Sequence, residues 1–510
     1  MESRICEVCR VPATQSCSSC HASFYCSREC QKKDWKSHRG SCIPYTIEVS
    51  PVYGRYPRAT RDIEAGEIIM RDTALAVGPR NPLRSLCLGC HKAASGAHVC
   101  FKCLFPQCSA TCENSASHEA ECLVLSKLGG TCHVGTTNDV CEFILPLRCL
   151  LTKYTDPKKW KALNGLQDNL GSVTDEWKLR VRHNVIDYLN QVITFKDIEA
   201  SDIYKICGII QTNAFEMKMN GESIQAVFPK MSMLAHDCCP NAKSVCTGGM
   251  KAIVKSTVPI AKGAPITVNY TNHLWNTIRR RQDLLISKFF ECNCLRCSDP
   301  TEFGANLSTL LCSQCGGHVL STAPLSSDAV WRCQDCHFTI ASRDVKKSYD
   351  ILSKAFEERD KSKIEPLEEL IDLCSGRLHS NHQIPLEAKL AWVKFCGNHP
   401  DYRYRDLSKV QLQTKISFCR DLLKVADVIS PGKSNFRGHI LFELHATLKT
   451  MARKLQSFGD LNNERTDVYY DEAEDKLRES RSIFCSENEM EGSGIEEKLA
   501  RLTKDLEGIC

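Results

Sequence analysis

From about residue 341 onward, apolar residues recur at the spacing of helix turns. Leu441, Leu444, Leu448, Met451 and Leu455 step by 3, 4, 3 and 4, which draws one stripe along a helix. Ile416, Cys419, Leu423 and Ala426 draw another, and Pro431-Gly432 stops that helix. A third stripe is Ile495, Leu499, Leu502 and Leu506. Helices patterned this way predict an antiparallel array, without a clear repeat period. Earlier in the chain the pattern changes. Apolar and β-branched residues bounded by Gly and Pro, as in PITVNY after Gly263, predict short strands. No stretch approaches the ~20 apolar residues that span a bilayer.

Composition changes this picture in one respect. The 510 residues allow two to four domains, and 42% hydrophobic with 25% charged residues is ordinary for a globular protein. A net charge of +5, from 66 basic and 61 acidic residues, carries no electrostatic signal for nucleic acid or membrane. The sequence Arg279-Arg280-Arg281 reads as a solvated helix face. Cysteine stands out, at 33. The N-terminal MESRICEVCR lacks an apolar core followed by a small-residue cleavage site, so it does not read as a secretory signal. The expected compartment is cytoplasm or nucleus, where thiols stay reduced and closely spaced cysteines are metal ligands.

The spacing groups those ligands. Cys6, Cys9, Cys17, Cys20, Cys26, Cys30, His38 and Cys42 make eight in the first 42 residues. Structural zinc takes four in a tetrahedron, so this set implies two ions. So short a segment buries little apolar area, and metal binding must supply its folding free energy. Interleaved pairing is expected: Cys6, Cys9, Cys26 and Cys30 on one ion, Cys17, Cys20, His38 and Cys42 on the other. The same order of ligand types returns as Cys87, Cys90, Cys100, Cys103, Cys108, Cys112, His118 and Cys122. Cys292, Cys294 and Cys297 form a third set that lacks one ligand, and by position Cys238 or Cys239 could supply it. Cys312, Cys315, Cys333 and Cys336 are two CxxC knuckles 17 residues apart, the spacing of a zinc ribbon. About six zinc ions are expected. The other eleven cysteines (132, 141, 149, 207, 239, 246, 374, 396, 419, 485 and 510) read mainly as small buried side chains.

Between and after these clusters come GRYPRATRDIEAGEIIM from Gly54, NAFEM from Asn213, SMLAHDCCPN from Ser232, GAPITVNY from Gly263 and FECNCLRCSDPTE from Phe290. This order resembles the SMYD family, whose SET methyltransferase domain is split by a MYND zinc finger, and in particular its arthropod SmydA-type members. The resemblance implies an α+β multidomain chain. An N-terminal MYND-type finger would span 1–44, the first part of SET 45–84, a second MYND-like finger 85–122 and a helical insert 123–205. The SET core would span 206–273, the post-SET zinc region 274–300, a four-cysteine zinc ribbon-like element 308–340 and a helical C-terminal domain 341–510.

The resemblance also implies an activity: transfer of a methyl group from S-adenosylmethionine to a protein lysine, histone or non-histone. Gly54 and Arg55 match the start of the family's glycine-rich cofactor loop. Asn213, Ser232, His236 and Phe290 match further cofactor-binding positions, with His236 acting mainly through its backbone. Cys238 matches the cysteine that completes the zinc site of Cys292, Cys294 and Cys297. Tyr270 matches the tyrosine whose hydroxyl lies beside the methyl-transfer path, as catalytic and cofactor-contacting residue. The reaction needs a neutral amine held in line, and an apolar channel favours that form by penalising the ammonium.

Five positions depart from the family pattern. Ala235 replaces an asparagine that bonds the polar end of the cofactor, a loss of about 1.5–3 kcal/mol. Tyr56, followed by Pro57, replaces the second loop glycine. Ala264 and Pro265 replace two glutamates, and Asp237 replaces a serine. These departures motivate an alternative, a catalytically decayed scaffold that binds proline-rich co-repressor peptides through its MYND fingers. In either case the chain is expected to act as a monomer.

Overall fold

The computed structural model describes residues 5–17, 23–39, 42–80, 86–94, 98–128, 142–192, 198–219, 222–246, 250–360, 363–457, 463–484 and 495–507. The expected α+β class holds, and the β-structure is assembled from distant stretches of chain. Ala76–Pro79 and Ala214–Met219 flank Glu222–Val227 in one antiparallel sheet. Ile68–Thr73 and Ala242–Cys246 flank Lys251–Ser256 in a second. Ala76–Pro79 and Ile68–Thr73 both lie far in sequence from the strands they pair with, so their loop-closure cost is met only once the whole unit forms. Tyr45–Ser50 pairs with Gly54–Ala59 as a hairpin, and Ala235–His236 runs parallel to Thr267–Val268. Ile69, Met70, Ile224, Ala226, Val254 and Ile266 fill the core between these sheets.

The intervening chain supplies the second finger and a helical layer. In that layer, Ile144–Thr155 packs its Leu147 and Leu150 with Phe105 of the finger and Ile206 of the Ala200–Asn213 helix. Gly78 lies in the sheet beneath, where an added Cβ would come within 2.6 Å of the Leu145 Cβ, so only glycine permits this approach. Helix is the expected structure here, and it continues to Asn213.

The four-cysteine element is a four-stranded antiparallel sheet from Leu310 to Ile340. Beyond it, Lys409–Ile429, Asn435–Ser457 and Asn463–Ile483 are long packed helices. The predicted stripe on Asn435–Ser457 is buried at Leu441, Leu444, Leu448 and Met451, but so are Glu443, His445 and Thr447 on other faces. The helix is central, surrounded by its neighbours, and a single stripe understates that. On the preceding helix Leu422 is fully buried and Leu423 only packs at the margin. Leu499, Leu502 and Leu506 of Ile495–Glu507 join the same core.

Among the remaining cysteines, 149, 207, 374, 396 and 419 are buried and 239 and 246 half-buried, while 132, 141, 485 and 510 lie outside the described residues. No helix among the described residues is long and apolar enough to cross a membrane.

Candidate active site and metal centres

Five complete ligand sets converge: Cys6, Cys9, Cys26 and Cys30; Cys87, Cys90, Cys108 and Cys112; Cys100, Cys103, His118 and Cys122; Cys238, Cys292, Cys294 and Cys297; and Cys312, Cys315, Cys333 and Cys336. Within each, the ligand atoms lie within 4.8 Å of one another. Sulfur pairs such as Cys9–Cys26 at 3.3 Å, Cys100–Cys122 at 3.6 Å, Cys238–Cys297 at 3.5 Å and Cys312–Cys336 at 3.5 Å are too far apart for disulfides. A tetrahedron with Zn–S bonds of ~2.3 Å places its sulfurs ~3.8 Å apart, so the donors fit zinc. In the remaining set Cys17 and Cys42 are 3.7 Å apart and His38 is buried, while Cys20 lies outside the described residues.

Local structure explains the convergence. Ser27 caps the Arg28–His38 helix and Ser109 caps Ala110–Glu113, each accepting a hydrogen bond from the backbone N–H of a ligand, Cys30 or Cys112. His118 Nδ1 donates to the Glu113 carbonyl at 2.6 Å. That leaves Nε2, 3.3 Å from the Cys103 sulfur, for the metal.

The fourth ligand of the three-cysteine run is Cys238. Cys239 instead lies 3.4 Å from the Val428 carbonyl. The expectation of a solvated arginine face on Arg279–Arg281 is overturned here. Arg280 is 0% exposed, and it donates from Nε to Cys238 Sγ at 3.1 Å and from Nη2 to Cys297 Sγ at 3.4 Å. Arg296, also fully buried, donates to the Cys238 carbonyl, and both guanidiniums meet Glu302. Four thiolates leave a dication with two surplus negative charges, and a buried cation beside them is electrostatically favourable. The signal was in the sequence: Thr277, Arg280 and Leu284 share one face of the Thr277–Lys288 helix, and all three are buried.

Three of the predicted pocket residues, His236, Tyr270 and Phe290, lie beside this centre. The Tyr270 backbone N–H donates to His236 Nδ1 at 3.1 Å, so Nε2 carries the hydrogen and faces Cys238 Sγ at 3.2 Å. Burial pushes the His236 pKa down to about 3, so the ring is neutral. With both nitrogens engaged, only its backbone remains for a ligand. The His236 ring lies 5.2 Å from Tyr270 and 6.0 Å from Phe290, centroid to centroid. The Tyr270 hydroxyl donates to the Leu234 carbonyl, and burial raises its pKa, so it stays protonated at neutral pH. It can orient a polar partner but cannot act as a phenolate base. Ser232 donates to the Phe228 carbonyl at 2.6 Å.

The fit to S-adenosylmethionine rests on the donors and on the space around them. Asn213 uses Nδ2 to reach the carbonyls of Gln167 and Ile209, both at 2.8 Å, so its donor group is committed to the chain's own backbone. Gly54 has φ 63°, and nothing lies within 4 Å of a Cβ built there. Arg55 is tied to the Gly165 carbonyl at 2.9 Å. The Tyr56 ring lies 5.3 Å from that of Tyr53, tilted by 46°, and its hydroxyl donates to Glu48. Burial raises the Tyr53 pKa. Ala235, where the family asparagine was expected, carries only a buried methyl. These residues fit a cofactor held mainly through backbone groups.

A MYND-finger family model matches residues 6–42 and a SET-domain model matches residues 54–271. The SET domain-containing protein SmydA-8, isoform B, of Drosophila melanogaster is 30% identical over 387 residues, which cover 72% of this chain and 84% of the relative. Histone-lysine N-methyltransferase ASHR1 of Arabidopsis thaliana is 24% identical over 371 residues, covering 66% and 74%. N-lysine methyltransferase SMYD2 of Gallus gallus is 27% identical over 261 residues, covering 49% and 58%.

Proposed function

The chain belongs to the SMYD family of SET- and MYND-domain proteins, and from that premise we propose that it is an S-adenosylmethionine-dependent protein-lysine N-methyltransferase. The observation that carries the reading is the cluster of Tyr270, His236 and Phe290 against the Cys238 metal centre. S-adenosylmethionine, when bound, supplies a methyl group on a sulfonium. The chain's residues do the remaining work. Gly54, Arg55, Asn213, Ser232 and the backbone of His236 would hold the cofactor. Tyr270, protonated and anchored on Leu234, would orient the incoming amine. Phe290 would exclude water, which keeps that amine neutral. Cys238, Cys292, Cys294 and Cys297 would hold a zinc ion, and the Nε2–H bond of His236 to Cys238 would tie the ring to that centre.

Calorimetric titration of the zinc-loaded protein with S-adenosylhomocysteine tests the reading. Saturable binding is expected, and none up to millimolar ligand removes it. Tyr270→Phe should lower turnover by roughly 100-fold while that affinity holds, since the hydroxyl acts on the reacting amine. Unchanged turnover would show the tyrosine to be misplaced.

The finer points belong to the same proposal. The first finger exposes Ile5, Val8, Val11 and Trp35, an apolar surface suited to a proline-rich peptide. Such binding favours a scaffold role beside catalysis, and Trp35→Ala should abolish it. We also place the chain as a monomer in the cytoplasm or nucleus, in keeping with the absence of disulfides among the described cysteines.

A further inference from the structure

The Thr277–Lys288 helix ends at the pocket. Phe289 caps it in the left-handed region, at φ 61°, and its N–H returns to the Leu284 carbonyl. This reversal carries Phe290 to His236 and leaves Lys288 on the wall beside Tyr270. Lys288 Nζ donates to the Thr212 carbonyl at 2.9 Å and stands 5.9 Å from the Tyr270 ring centroid. Thr212 adjoins Asn213 in the chain. A primary amine of the protein therefore sits beside the ring of the orienting tyrosine, bonded to the residue that precedes Asn213. Among the described residues it forms no ion pair. Asp283, on the same helix, is the acidic group whose charge acts on it.

We propose that Lys288 is itself a substrate of this pocket, a site of intramolecular N-methylation. The inference rests on the methyltransferase reading above and names a substrate for it. In the step, the Nζ lone pair forms a new N–C bond while the methyl's bond to sulfur breaks. The C–S electron pair stays on sulfur, giving S-adenosylhomocysteine, and the surplus N–H proton passes to water. The amine suits the step because burial lowers its pKa to about 8. Near that pH roughly half of it is neutral, against well under ~1% of an ordinary lysine. The dull alternative is a lysine that only closes the helix end onto Thr212.

Two measurements on the full-length, zinc-loaded protein separate these. After incubation with S-adenosylmethionine, tandem mass spectrometry of the peptide containing Lys288 should show methyl increments on that residue. Their first-order rate should not depend on protein concentration, and Lys288→Arg should remove them. The second readout involves no transfer. S-adenosylhomocysteine at ten times its Kd should slow acylation of Lys288 by acetic anhydride roughly tenfold. It should leave the exposed Lys158 unaffected. If S-adenosylhomocysteine binds, yet Lys288 stays unmodified and its acylation rate does not change, self-methylation is overturned and the methyltransferase reading stands. If S-adenosylhomocysteine does not bind, both fall.

Discussion

The C-terminal array and the first finger bury very different material. The array's core runs continuously from Ile364 to Leu502 and includes Trp392, Leu412, Leu441 and Leu448, all essentially inaccessible. The first finger's buried cluster is Cys6, Cys17, Tyr25 and Cys42, and each member but Tyr25 is a metal ligand. At about 1.5–3 kcal/mol per buried large apolar side chain, the array can offset its own ordering entropy. The finger cannot, and a structural zinc contributing ~10–16 kcal/mol must replace the missing core. The pocket lies between these regimes. Its strands have an apolar core, but His236 and Phe290 are positioned from the Cys238 centre.

The largest test of this contrast is metal removal. Chelation at neutral pH should unfold the fingers and open the pocket while the array keeps its helical signal. Circular dichroism with limited proteolysis checks this, and an array that melts along with zinc loss would break the contrast. Next, Cys238→Ser should release one zinc equivalent and destabilise the pocket, because it removes a metal ligand and one of the acceptors of the buried Arg280, which keeps Glu302. Cys239→Ser should release none, and elemental analysis separates the two.

Inside the array, Lys415 donates to Glu443 at 2.9 Å and Lys498 to its other oxygen at 2.8 Å. Glu443→Ala should cost about 3–5 kcal/mol in urea titration, since Lys415 then has no counter-charge. Burial alone would raise the Glu443 pKa, but the two lysines outweigh it and hold the carboxyl at about 2, below its ordinary 4.5. Its contribution is therefore complete above pH 4.5 and disappears between there and pH 2. Zinc ligands protonate before that, so acid should dismantle the fingers first. The smallest effect belongs to Arg58 and Glu48, a half-exposed pair at 3.0 Å. Arg58→Ala should cost under ~1 kcal/mol, and a larger loss would mean that the hairpin carries load for the pocket.

Local spacing and bulk determined much of this protein without help from the fold. Ligand spacing identified the zinc sets, because a tetrahedral ion accepts few arrangements of a short chain. Helical periodicity likewise located the array, and ordered motifs singled out Tyr270 and His236, which the fold brings side by side. What spacing could not decide were pairings across distance. Cys238 and Cys239 are adjacent and chemically equal, and only the packing of the Thr277–Lys288 helix presents one to the metal and the other to Val428. An arginine triplet reads as solvated until an anionic centre and Glu302 are brought against one face of it. Nothing in the spacing singles out Lys288. Its nearness to Tyr270 depends on strands and helices closing around it, and long-range closure of that kind leaves no local period in the sequence.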